Sequence, residues 1–165
     1  MGKTMLQIHP FDPVWDENSR VLILGSLPSA RSRQEGFYYG HPQNRFWRLL
    51  AALFDAPTPA SVPEKKALLL SNGIALWDAA ASCEIEGSAD ATIRSARPND
   101  VAGLLARCPI ARIYANGQTA AKLYRQLIEP DTGRPIVALP STSPANAAWG
   151  MERLLEAWEI IKDKG

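Results

Sequence analysis

Apolar residues along this chain follow two rhythms. Four short runs are apolar nearly throughout: Val21–Gly25 (VLILG), residues 74–77 (IALW), 111–115 (ARIYA) and 135–139 (PIVAL). Such runs are too short for ordinary helices and read as strands buried on both faces. Between them the spacing becomes helical. Phe46, Trp47, Leu50, Ala51 and Phe54 recur at three and four, and Pro57 and Pro59 close that helix. A second helix is predicted over residues 63–71, stopped by Asn72-Gly73. Asn99 or Asp100 can cap a short helix through Ala106, another runs from Asn116-Gly117 to Leu127, and the last covers residues 148–162. Strands alternating with helices predict a parallel sheet covered on both faces, a three-layer αβα sandwich around a four-stranded parallel sheet. The 165 residues suit one domain, with residues 1–18 as an N-terminal arm.

In such a fold, ligands bind beyond the C-terminal ends of the strands. The unusual segments of this chain fall there: residues 26–43, 78–98, Asn116-Gly117 and 140–146. The first reads GSLPSARSRQEGFYYGHPQNRFW from Gly25 to Trp47 and contains neither GxxxxGK[ST] nor GxGxxG. Gly25 permits a close backbone approach, and Pro28 and Pro42 stiffen the loop. Phe37, Tyr38 and Tyr39 are three successive aromatics that core packing cannot all absorb, so at least one is expected to face a cleft or pin the loop. Asn44 stands where the loop becomes a helix. It is either an N-cap, which spacing alone favours, or a carboxamide that orients a water or a base edge. His41 is a candidate acid, base or loop hydrogen bonder. His9 lies on a loose arm.

The segment STSPAN, Ser141 to Asn146, places hydroxyls and main-chain amides before a helix, which suits anion or phosphodiester binding; the same hydroxyls equally suit capping the last helix, with Asn146 the first choice of cap. No GxSxG elbow is present, so a serine nucleophile is a poor reading. Glu84, Glu86 and Asp90 fit no calcium loop and read as a solvated loop. Trp47, Trp77, Trp149 and Trp158 read as core, and Trp15 as an anchor for the arm.

Composition narrows the field further. A net charge of +1 gives no strong electrostatic sign of nucleic acid; Arg31, Arg33, Arg45 and Arg48 form one basic cluster, and Arg94 and Arg97 a second, both compatible with a solvated surface. Cys83 and Cys108 lack metal spacing, give no recognisable metal site with the two histidines, and read as buried or incidental thiols. No signal peptide or membrane span is evident, and a soluble cytoplasmic monomer is the expectation.

The segments from Gly25 to Trp47, Leu76 to Ile93 (LWDAAASCEIEGSADATI), Tyr114 to Gln118 (YANGQ) and Ser141 to Asn146 together resemble the uracil-DNA glycosylase superfamily. The closest resemblance is to its deoxyinosine (hypoxanthine) DNA glycosylase branch. The resemblance implies the four-stranded parallel sheet already read. It also implies a monofunctional, metal-free hydrolysis of the N-glycosidic bond of a flipped nucleotide in DNA carrying a deaminated base. Asn44, the asparagine of HPxN, takes the catalytic role, its amide oxygen holding a water. Gly25, Ser26, Leu27, Pro28, Tyr39, His41 and Asn116 form the base pocket, with Tyr39 stacking on the base. Ser141, Thr142, Ser143, Pro144, Ala145 and Asn146 meet the DNA. Two departures stand out. Leu27 occupies the position where mismatch-specific relatives carry a water-positioning asparagine, and Ser141 the position of a histidine in uracil-specific ones. Uracil excision, a non-catalytic nucleic-acid-binding module and a phosphate-ester hydrolase are the alternative readings.

Overall fold

The computed structural model describes residues 5–8, 12–26, 37–40, 42–85 and 96–163. Leu27, Pro28 and His41, together with His9, Arg31, Arg33, Glu86, Asp90 and Arg94, lie outside the described residues. In chain order the elements are β1 (Met5–Ile8), β2 (Val21–Gly25), α1 (Phe46–Leu53), α2 (Val62–Ser71), β3 (Ile74–Asp78), β4 (Ala80–Ile85) and β5 (Arg97–Pro98). There follow α3 (Val101–Leu105), β6 (Arg112–Asn116), α4 (Gln118–Leu127), α5 (Glu129–Thr132), β7 (Val137–Leu139) and α6 (Met151–Trp158), which tightens into a 3₁₀ turn over Glu159–Lys162.

Four strands form a parallel sheet in the order β3-β2-β6-β7. Strand alternation divides the core between its two faces. Val21, Ile23, Ile74, Leu76 and Tyr114 pack with Phe46, Leu50, Leu69 and Trp158 from α1, α2 and α6. Leu22, Leu24, Ala75, Ile113 and Ala115 pack with Val101, Leu104, Ala121 and Tyr124 from α3 and α4. These are the two outer layers of the expected sandwich. Cys108 is buried on the second face, its thiol pushed up by burial and then by the Asp16 charge, as an inert core thiol would be.

Helix ends follow local chemistry. Ser61 caps α2 by accepting from the Glu64 amide at 3.2 Å, while Glu64 Oε1 accepts from the amide of Ala60, the residue before the cap, at 3.2 Å. Asp100, one of the two expected caps, accepts from Gly103 N and starts α3. Asn99 instead donates its Nδ2 to the Asp78 carbonyl at 2.8 Å.

Three differences from the sequence reading have physical reasons. Part of the segment expected as a polar loop over residues 78–98 is a second sheet, in which β4 pairs antiparallel with β1 and β5. Its strands are short and of mixed polarity, so no period marks them. The arm is not loose throughout: β1 is paired, and Val14 exchanges two 2.9 Å backbone hydrogen bonds with Leu76. Trp15 packs against the second core face, as expected of an anchor. Finally, α6 begins at Met151 after Gly150, with no side-chain cap; Asn146 is used elsewhere. Among the described residues no helix is long and apolar enough to cross a membrane.

Candidate active site

Strand order locates the crevice. From β2 the chain returns to β3 on one side, whereas from β6 it returns to β7 on the other, so the connections diverge between β2 and β6. At such a switch point the loops part and leave a cleft at the C-terminal strand ends. Those ends are Gly25 and Asn116.

Gly25 is buried, in register with Asp78 at the end of β3. A Cβ on Gly25 would collide with Asp78 Oδ1 and stand 2.7 Å from the Tyr39 hydroxyl. The missing side chain therefore lets a carboxylate and a phenol close on the strand end. The backbone there is held as well, since Gly25 and Ser26 carbonyls accept from the Ala79 and Ala80 amides at 2.7 and 3.1 Å. A Gly25→Ala protein is expected to lose roughly 2 kcal/mol of stability through overpacking, seen as a Tm about 4–8 °C lower in calorimetry.

Of the three aromatics, Phe37 and Tyr38 are buried and Tyr39 is half-buried. Phe37 stacks on Trp47, and the Tyr38 hydroxyl donates to the Asp12 carbonyl at 2.8 Å, so these two pin the loop. Tyr39 sits in the left-handed region at φ +53°, a conformation uncommon for a bulky residue and costing about 1 kcal/mol or more. One face of its ring lies on Phe46, centroids 4.3 Å apart. Burial, and then the Asp78 charge, raise the Tyr39 pKa, while the Asn116 carboxamide acts in the opposite sense from outside hydrogen-bond geometry. Tyr38 is raised by the same two causes, so both phenols stay protonated at working pH.

Asn44 lies one residue upstream of the helix cap. Its Oδ1 accepts from the Phe46 amide at 3.0 Å, an Asx turn that opens α1, and from the Thr142 hydroxyl at 2.8 Å. An amide oxygen has two lone pairs, and both are engaged. The expectation that this oxygen holds a water is thus not met by the geometry. The Nδ2 group, two donors, has no partner among the described residues and is the part of Asn44 open to a ligand.

Thr142 is fully buried. Asn116 clasps it with both ends of its carboxamide: Oδ1 accepts from Thr142 N at 3.1 Å and Nδ2 donates to Thr142 Oγ1 at 3.0 Å. The hydroxyl expected to meet a phosphate is therefore turned inward between two asparagines. Ser141 and Ser143 behave differently. Each is partly exposed, and each hydroxyl accepts one backbone amide two residues on, at 3.1 Å, which leaves its proton to donate outward. Asn146 donates Nδ2 to the Ser141 carbonyl at 3.0 Å and holds the loop rather than capping α6. Gly117, at φ +96°, passes beside Ser141, where a Cβ would stand 3.2 Å from the serine Cβ.

The sequence reading placed Arg45 on a basic surface. The structure makes it the brace of the STSPAN loop. Its guanidinium donates to the carbonyls of Ser143 at 2.9 Å, Asn146 at 3.2 Å and Thr142 at 3.4 Å, and to that of Trp149. Its own amide donates to Thr142 O at 3.1 Å. Asp78 is the other residue missed; its signal was a lone acid closing the apolar run IALWD. A groove of about 640 Å³ runs along the outer flank of the loop, lined by Gly117, Gln118, Ser141, Ser143, Asn146 and Trp149 among others. Asn44 and Tyr39 do not line it. Arg153 stacks over Trp149, 4.0 Å from its ring centre. Among the described residues no group of three or more metal-ligating side chains is found.

Residues 13–163 match the model of the uracil DNA glycosylase superfamily. The chain is 39% identical over 153 residues to a protein named hypoxanthine DNA glycosylase from Methanosarcina acetivorans, spanning 92% of this chain and 95% of that one. A protein of the same name from Methanosarcina barkeri is 34% identical over 138 residues, 82% and 86% of the two chains. A solution NMR structure described as a uracil DNA glycosylase from Methanosarcina acetivorans matches with a TM-score of 0.78 at 32% identity, over 96% of this chain and 100% of that one. With its sheet order and these relatives in agreement, the chain belongs to the uracil DNA glycosylase superfamily.

Proposed function

We propose that this protein is a monofunctional DNA glycosylase that releases hypoxanthine from deoxyinosine in DNA, leaving an abasic site. The observation that carries the reading is the meeting of Asn44, Thr142 and Asn116 at the switch point, in a chain whose relatives bear the name hypoxanthine DNA glycosylase. Flipping a nucleotide costs a few kcal/mol, less at a damaged pair. Tyr39 offers the base the ring face that Phe46 does not cover, and such stacking is worth about 1–3 kcal/mol.

As the N-glycosidic bond breaks, its electron pair leaves with the base and the sugar gains oxocarbenium character. Asn44 Nδ2 donates to the oxygen of a water and keeps another lone pair of that oxygen aimed at C1′. The water adds there, and one of its protons leaves with the base or to solvent. Ser141 and Ser143 hold phosphate oxygens through the protons that their turns leave free. Pro144, Ala145 and Asn146 face the gap left in the duplex. The protein works as a monomer without a cofactor. Ser141, in the place of an imidazole, disfavours departure of a uracil anion.

The test is excision from matched duplexes containing deoxyinosine or deoxyuridine, read as free base and as alkali-labile strand. Hypoxanthine release in clear excess is the expected result. Uracil release alone would overturn the substrate, and binding without release of either base would overturn the enzymatic reading.

A further inference from the structure

We propose that Thr142 is a positioning residue for Asn44 and not a contact to DNA, with Asn116 fixing the direction of its proton. This rests on the proposed function and names how its central residue is set. The hydrogen bonds define one direction. The Phe46 amide must donate, so the atom of Asn44 that meets it is the oxygen, and the carboxamide cannot flip. The Thr142 amide must donate, so Asn116 presents its oxygen there and its nitrogen to the Thr142 hydroxyl. That hydroxyl, accepting from Asn116, has its own proton left for Asn44 Oδ1 at 2.8 Å. With two donors on Oδ1, the donors of Nδ2 alone remain for a ligand. Burial excludes a phosphate from Thr142, which is 0% exposed. The β-branch adds stiffness, since threonine holds its χ1 more tightly than serine. The link spans residues far apart in sequence, from the head of α1 to the loop after β7, so local helix geometry alone does not set Asn44.

The experiment compares Thr142→Val, Thr142→Ser and Asn116→Asp with the unmodified chain. Single-turnover hypoxanthine release and the Kd for a deoxyinosine duplex are both measured, with thermal melts as a folding check. Valine keeps the shape and removes the proton. Release is expected to slow by about 10- to 100-fold, the scale of a small misplacement at a reaction centre, with Kd changed less than about twofold. Serine restores the hydroxyl and is expected within about fivefold of the unmodified rate. Aspartate at 116 still accepts from the Thr142 amide but draws the hydroxyl proton toward itself and away from Asn44. It is expected to slow release as valine does, and it carries the test if valine at 142 fails to fold. A weaker Kd with an unchanged rate at saturation would make Thr142 a phosphate contact and overturn the inference. An unchanged rate in both valine and aspartate variants would also overturn it. Absence of hypoxanthine release from the unmodified chain would instead overturn the proposed function.

Discussion

Replacing Asn44 by alanine is expected to slow hypoxanthine release by about 10²–10³-fold under single-turnover conditions, the range for removing one well-placed donor or water-orienting group. Alanine also strips an acceptor from the Phe46 amide and the Thr142 hydroxyl, so a loss of about 1–2 kcal/mol in urea unfolding should accompany it. The two effects separate in Asn44→Asp. A carboxylate accepts from both partners and keeps the fold, yet it has no N–H to offer. If Nδ2 is the working group, the aspartate variant melts close to the unmodified protein and is as slow as alanine. An aspartate variant that releases base at the original rate would mean that the donors of Asn44 are dispensable.

The second large effect is expected at Arg45. Methionine keeps much of the apolar stem but frees the carbonyls of Thr142, Ser143, Asn146 and Trp149 from their shared donor. Charged hydrogen bonds contribute about 1.5–3 kcal/mol each, but water replaces part of that at a half-buried residue, and about 3 kcal/mol in total is expected. In a domain of this size the Tm should fall by about 6–12 °C. Lysine should recover less than half, because one ammonium cannot span carbonyls that a planar fork reaches together. Release should fall further than stability alone explains, since the loop that carries Thr142 loosens with its brace. Thermal melts read beside single-turnover rates at a temperature where every variant is folded check both parts. A methionine variant with unchanged Tm would show that the loop holds its shape without the clamp.

Strand β2 was legible because five successive apolar residues have no other economical use, and the helices were legible from their spacing. Legibility stopped where pairing partners are distant or signals short. A two-residue strand such as Arg97–Pro98 has no period to detect, and β1 and β4 each draw their order from the other. Asn44 shows the same limit within the site. Its neighbours in sequence gave a helix start, which is half of what it does, while its bond to Thr142 joins residues 98 apart in the chain. Arg45 was read as surface charge because its acceptors are backbone carbonyls, and no side-chain pattern encodes those.

The order β3-β2-β6-β7 also has a consequence for biogenesis. Strand β2 ends at Gly25, but its second neighbour does not begin until Arg112. On the ribosome, at about 5–20 residues per second, the run VLILG therefore waits on the order of 4–17 s with one edge unpaired. Apolar on both faces and free of charge, it is in that interval the segment of the nascent chain best suited to pair with a stranger. Yield on overexpression should thus respond to holdase chaperones and to translation speed more than the stability of the finished protein would suggest.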